Sequence, residues 1–264
     1  MTLVEGRVLV TGATGGIGQA ISRAFAARGA SLLLTGRRVE VLEPLASELG
    51  AQTFAADLSS AADLERLVSV AGAVDVMVAN AALPATGILQ ELTQDQIDTM
   101  LDVNLRSPIA LARALAPGML ARGRGQLVFI GSLASKTASP ASSLYNATKF
   151  GLRGFALAAR EDLRPGGVGV SIVLPGFIRD AGMLADSGAK LPPGVGTRTP
   201  EQVASAVLEA VERNRAEVTV APLSLRLGAD FASVAPAFSA RAQRLLGGGK
   251  VARDISSGQR DKRP

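Results

Sequence analysis

The stretch RVLVTGATGGIGQAISRAFA, residues 7–26, decides the fold. Its opening, "RVLVT" (7–11), is a short, almost wholly apolar and β-branched run, as in a strand buried on both faces. From Gly16 onward the pattern changes to that of an amphipathic helix. Between the two lies "TGATGGIG", with Gly12, Gly16 and Gly18. Glycines there permit a tight turn and let backbone N–H groups approach a pyrophosphate at the positive end of a helix. The spacing is G-x-x-x-G-x-G, not the more common G-x-G-x-x-G. Taken alone, the loop fits a structural turn as well as a dinucleotide cradle.

Outward from this unit, apolar runs at 31–35, 52–56, 74–79, 125–130, 169–174 and 217–221 read as further strands. Helical patterns separate them at 16–28, 39–49, 60–71, 94–121, 143–163 and 200–214. Such alternation predicts one Rossmann-like, doubly wound α/β domain: a parallel seven-stranded sheet with helices on both faces. That domain spans 1–246. It includes a Gly- and Pro-rich segment at 177–199, of the length used for lids, and a helical arm at 223–246. Residues 247–264, beginning "GGGK", read as a flexible basic tail.

The 264 residues are 47% hydrophobic and 19% charged, enough for a sizeable core, but only 3% aromatic, so Ala, Val, Leu and Ile must build it. The net charge is +5, with basic residues crowded after Ala240: Arg241, Arg244, Lys250, Arg253, Arg260, Lys262 and Arg263. Aromatics are not interleaved with them, so no nucleic-acid partner is expected. A solvated tail is the plain reading, and contact with an anionic surface the sharper one. No apolar run approaches the ~20 residues of a membrane span, and the N-terminus lacks a signal-type core. The expected location is cytoplasmic. Without cysteine or histidine, no disulfide, thiolate or metal site is expected.

The second strand ends in "TGRR". A carboxylate there would hold the ribose hydroxyl of NAD, whereas Arg37 and Arg38 offer guanidinium forks to the extra phosphate of NADP. NADP(H) is therefore expected, with NAD(H) the alternative. A carbonyl–alcohol interconversion also needs a proton donor. With no histidine or cysteine, attention falls on "SSLYNATKFG" (142–151), which holds the only tyrosine, Tyr145, and one of five lysines, Lys149. A phenol titrates near pH 10 and needs roughly 4 kcal/mol of anion stabilisation to act near neutrality. A cation at i+4 on the same helical face is one source. Ser132, thirteen residues before Tyr145 at a strand end, offers a hydroxyl to a substrate oxygen.

"TGATGGIG", "NAA", "VNL", Ser132, "YNATK" and "LPG", in this order and spacing, resemble the short-chain dehydrogenase/reductase family over about residues 5–221. The resemblance implies that Tyr145 is the general acid/base. Lys149 would hold the nicotinamide ribose and lower the tyrosine pKa, Ser132 would bind the substrate oxygen, and Asn104 would prop a water relay toward the lysine. It also implies a cofactor site made of Gly12, Thr14, Gly15, Gly16, Ile17 and Gly18, with Arg37 and Arg38, Asp57 and Leu58 by the adenine, Asn80, and Pro175, Gly176 and Ile178 by the nicotinamide.

The chain departs from the family pattern in "ANAA", where Ala79 and Ala82 replace an asparagine and a glycine, and at Ser107. Asp180 stands where a threonine often meets the nicotinamide carboxamide. Two rival functions are a sugar-nucleotide epimerase or dehydratase, disfavoured by the short C-terminal region, and a non-catalytic dinucleotide-binding sensor. The substrate pocket would draw on Leu133, Ala134, Pro140 and the lid residues Phe177, Met183, Leu184 and Leu191, suiting a hydrophobic carbonyl or alcohol. A homodimer or homotetramer through helices 94–121 and 143–163 is expected.

Overall fold

Alternate residues along the strands serve two different cores. The computed structural model describes residues 2–84, 86–191, 195–245 and 248–259. Seven strands run parallel in the order β3-β2-β1-β4-β5-β6-β7. They are β1 (Arg7–Thr11), β2 (Ser31–Gly36), β3 (Gln52–Ala55), β4 (Val76–Ala79), β5 (Gly125–Ile130), β6 (Val168–Pro175) and β7 (Glu217–Val220). Val8, Val10, Val76, Val78 and Val128 point to a core closed by α1 (Gly16–Ala26), α2 (Val39–Leu49) and α8 (Pro200–Glu212). Their neighbours Leu9, Met77, Leu127 and Phe129 point to the opposite core, closed by α3 (Ala61–Ala71), α5 (Ser107–Ala121) and α6 (Ser143–Leu163). Burial on both faces is why these strands read as continuous apolar runs instead of alternating ones.

The sheet reverses direction of growth at β1, which pairs with β2 on one side and β4 on the other. Ligands of open α/β sheets bind outside the carboxyl ends of the strands at such a switch point. The glycine loop after β1 and Asn80 after β4 meet there.

The helix expected over 94–121 is interrupted. α4 (Gln94–Leu101) passes into a π-helical turn, Asp102–Arg106, before α5 begins. Pro108 in the first turn of α5 has no N–H to donate to the Asn104 carbonyl, so regular α-helical bonding cannot run through this point.

The lid region contains a short helix, α7 (Gly182–Ser187), and its stem is pinned. Arg179 N donates to the Arg198 carbonyl at 2.9 Å, and Arg198 N to that of Phe177 at 2.9 Å. The arm consists of α9 (Leu223–Val234) and α10 (Pro236–Leu245); residue 246 lies outside the described residues. The tail differs from expectation. Residues 248–257 form α11 (Gly248–Ser257), with Ile255 and Ser256 buried. Gln259, also buried, donates to the Met183 carbonyl of the lid at 3.1 Å. The buried side chains lie on a segment whose glycine run and charges read as a flexible tail. Residues 260–264, with Arg260, Lys262 and Arg263, lie outside the described residues.

Candidate active site

Gly12 adopts φ +65°, and a Cβ there would stand 2.7 Å from the Ala81 backbone. At Gly18 a Cβ would stand 2.2 Å from the Gly12 carbonyl oxygen. Neither position accepts a side chain without moving backbone, so the loop is pressed against the end of β4. Asn80 completes the join, donating from Nδ2 to the carbonyls of Thr11 and Gly12, both at 3.1 Å. The Thr11 hydroxyl accepts from the Asn80 and Ala81 N–H groups. At the N-cap of α1, Gly15 has no side chain to satisfy the first-turn N–H groups. A helix start uncapped in this way, at a switch point, fits a phosphate. Thr14 and Ile17 lie within the same turn.

The two arginines diverge. Arg38 Nη2 donates to the Thr14 carbonyl at 2.7 Å and thereby braces the glycine loop. Arg37 is exposed beside it, at the end of β2. After β3, Asp57 uses Oδ1 to accept from the Ser59 N–H at 2.9 Å and the Ser59 hydroxyl at 2.8 Å, with Leu58 buried next to it.

Ser132 follows β5 and caps a single 3-10 turn, Leu133–Ser135, its Oγ accepting from Ala134 N at 3.1 Å. Tyr145 and Lys149 come from α6, which packs on that turn. Lys149 is only 3% exposed. Its Nζ donates to the Ile130 carbonyl at 3.0 Å and lies 5.8 Å from the centre of the Tyr145 ring. Burial pushes the ammonium down to about 8. Burial likewise pushes the Tyr145 phenol upward, and a hydrogen bond with the Ser132 hydroxyl offsets this only in part. In the protein by itself, the balance between burial and the Ser132 hydrogen bond therefore leaves the phenol raised.

Asn104 lies in the π-helical turn and is buried, and its side chain is engaged. Oδ1 accepts from Leu83 N at 2.7 Å and Nδ2 donates to the Leu83 carbonyl at 2.9 Å. Near the last strand ends, Gly176 N donates to the Val220 carbonyl at 3.0 Å, and Ile178 is buried beside Pro175 and Gly176. Asp180 is exposed with φ +66°, its carboxylate 3.6 Å from Arg179.

Two residues had no role in the sequence reading. Asn146 is buried, donates to the carbonyls of Ala134 at 2.8 Å and Thr137 at 2.7 Å, and so holds the Ser132 loop against α6. Its place beside Tyr145 was the available signal. Lys136 closes the Ser132 turn and forms ion pairs with Glu217 at 2.6 Å and Asp230 at 2.7 Å. Burial alone would lower this ammonium; its hydrogen bonds to Asp230 and Glu217 outweigh that and raise it. No local pattern marks it. Among the described residues no group of acidic side chains is arranged to hold a metal.

A short chain dehydrogenase family model matches residues 6–192, and the chain belongs to that family. A ketoacyl reductase, HetN, from Nostoc sp. (strain PCC 7120) is 33% identical over 230 residues, covering 83% of this chain and 80% of that protein. An NADP-dependent 3-hydroxy acid dehydrogenase, YdfG, from Salmonella typhi is 37% identical over 179 residues, or 65% of this chain and 72% of that protein. Among solved structures, a short-chain dehydrogenase from Sphingobium yanoikuyae in complex with NADPH superposes with a TM-score of 0.77. It is 27% identical, over 92% of this chain and 95% of the other.

Proposed function

We propose that the protein is an NADP(H)-dependent oxidoreductase that interconverts a ketone or aldehyde and an alcohol on a hydrophobic small molecule. The observation that carries this reading is the meeting of Ser132, Tyr145 and a buried Lys149 at the carboxyl end of β5, on a fold whose glycine loop opens at the adjacent switch point. When bound, the dinucleotide supplies or accepts hydride at its nicotinamide. In the reductive direction Ser132 holds the carbonyl oxygen, and Tyr145 gives its proton to that oxygen as the carbon gains hydride; oxidation reverses both transfers. Lys149 has one acceptor, Ile130, for its three N–H bonds among the described residues, which leaves donors for the ribose hydroxyls. Arg37, and Arg38 where it can leave Thr14, meet the 2′-phosphate. The names of the NADP-dependent dehydrogenase and of the NADPH-bound structure support the same cofactor here.

The substrate faces the half-buried Leu133 and Ala134 and the half-buried lid residues Phe177, Met183, Leu184 and Leu191. We assign the protein to the cytoplasm; among the described residues no helix is long and apolar enough to cross a membrane. Assembly into a homodimer or homotetramer through α4, α5 and α6 is part of the proposal, and half-exposed Phe150 on α6 favours it. A panel of carbonyls and alcohols, followed at the nicotinamide absorbance with each cofactor, tests the reading. Cofactor binding without turnover of any compound would favour a dinucleotide sensor.

A further inference from the structure

Five of the eleven exposed large apolar side chains among the described residues lie on the arm. Leu223, Leu227, Phe231 and Val234 recur along α9 at i, i+4, i+8 and i+11, a single stripe down one helix face. Phe238 extends the series on α10. They are 67%, 60%, 55%, 85% and 73% exposed, respectively. The opposite face of α9 buries Ala229 and Ala232 against the domain, and Asp230 is tied to Lys136. The stripe cannot turn inward to cover the catalytic cleft without breaking those contacts.

The charge of the chain is partitioned in the same way. Residues 223–264 contain eight Arg and Lys against three Asp and Glu, a surplus of +5 that equals the net charge of the whole chain. Residues 1–222 hold twenty of each sign. Apolar stripe and cationic surplus therefore coincide on one C-terminal segment of an otherwise neutral body. Arg226 on α9 and Arg241 on α10 are both exposed.

We propose that α9 and α10 form a peripheral docking surface for an anionic lipid bilayer, with Leu223, Leu227, Phe231, Val234 and Phe238 entering the headgroup boundary and Arg226 and Arg241 meeting lipid phosphates. Amphipathic helices with Phe and Leu on one side and arginines beside them lie in membrane interfaces by this combination. A second copy of the chain fits the stripe less well. A two-fold contact would set two such cationic segments face to face, and like charges oppose that pairing.

The test is co-sedimentation of the full-length protein with vesicles of phosphatidylcholine alone and of phosphatidylcholine mixed with phosphatidylglycerol. Binding to the mixed vesicles is expected, reduced by high salt, with weak or no binding to the neutral ones. Arg226→Gln and Arg241→Gln should each weaken it about fivefold. Phe231→Ser with Phe238→Ser should weaken it by at least about tenfold, while thermal melting and catalytic turnover stay as in the wild type. Absence of binding, equal binding to both vesicle types, or full binding by the double phenylalanine variant would overturn the proposal. So would sedimentation velocity showing an oligomer that the phenylalanine substitutions dissociate while vesicle binding persists.

Discussion

The Lys149 ammonium stands 5.8 Å from the centre of the Tyr145 ring while it donates to the Ile130 carbonyl at 3.0 Å. The pair thus ties α6 to the end of β5, the strand that also delivers Ser132. Burial works against the charged form of both groups, lowering Lys149 to about 8 and raising Tyr145. A charged group held at the edge of neutrality in this way is responsive: hydroxyl acceptors placed beside it favour the ammonium, and the ammonium in turn favours a tyrosinate.

A pH-dependent stability follows from Lys149 alone. Its folded pKa of about 8 lies below the ordinary 10.5, so between these values the unfolded chain binds a proton that the folded chain lacks. Stability from this group rises with pH across that window, is complete above it and is gone below pH 8. Lys149→Met removes the dependence. Urea unfolding of wild type and variant should show their difference shifting by about 3 kcal/mol in favour of wild type from below pH 8 to near pH 10.5. A difference that stays flat with pH refutes the assigned burial cost.

Tyr145→Phe removes the hydroxyl and little else. Turnover should fall by about 10²–10⁴-fold with cofactor affinity and melting temperature nearly unchanged. Ser132→Ala should cost less, about 10–100-fold, because the Tyr145 proton donor remains, although the substrate-oxygen contact, the acceptor for Ala134 N–H and the hydrogen bond to Tyr145 all go with the hydroxyl. Steady-state kinetics on any accepted carbonyl decide both. Retention of near wild-type turnover by Tyr145→Phe removes the proton donor from the proposed reaction.

The sheet was legible because burial on both faces leaves a strong mark: Val8, Leu9 and Val10 serve different cores yet are all apolar. The glycine loop was legible because Gly12 and Gly18 answer to close backbone contacts that no other residue tolerates. What stayed hidden depended on distant partners. Lys136 reads as an ordinary surface lysine until Asp230, 94 residues away, is brought beside it. The upward push on Tyr145 could not be read from i,i+4 spacing, since it comes from burial and the sequence does not show how deeply α6 is buried. In the tail, charge and glycine concealed Ile255 and Gln259, whose places are set by the lid. The break before α5 had a visible cause in Pro108, which the long amphipathic pattern masked.

Cofactor choice is best tested at Arg37. Arg38 also braces the Thr14 carbonyl, so its loss disturbs the glycine loop whichever nucleotide is bound. Arg37 is exposed and lies at the end of β2, so Arg37→Ala removes a guanidinium without a comparable structural change. The KM for NADPH should rise about tenfold, the loss of one charge-assisted contact, while that for NADH changes little. Equal effects on both cofactors, or a wild type with no preference for NADPH, would sink the phosphate assignment.

The ion network around Lys136 distinguishes a structural tether from surface decoration. Its ammonium is shared by Glu217 on β7 and Asp230 on α9, and Glu217 also meets Arg153 of α6 at 2.5 Å. Lys136 is buried, whereas Asp230 is 58% exposed. Removing the buried partner leaves carboxylates poorly compensated, so Lys136→Met should lower stability by about 2 kcal/mol. Asp230→Asn should cost under about 1 kcal/mol, since an exposed member is screened by water. Because Lys136 closes the turn that begins at Ser132, the first variant should also raise substrate KM more than it lowers kcat. Urea unfolding and steady-state kinetics on the two variants separate the cases: equal, negligible losses would mean that the network does not hold the Ser132 turn to the arm.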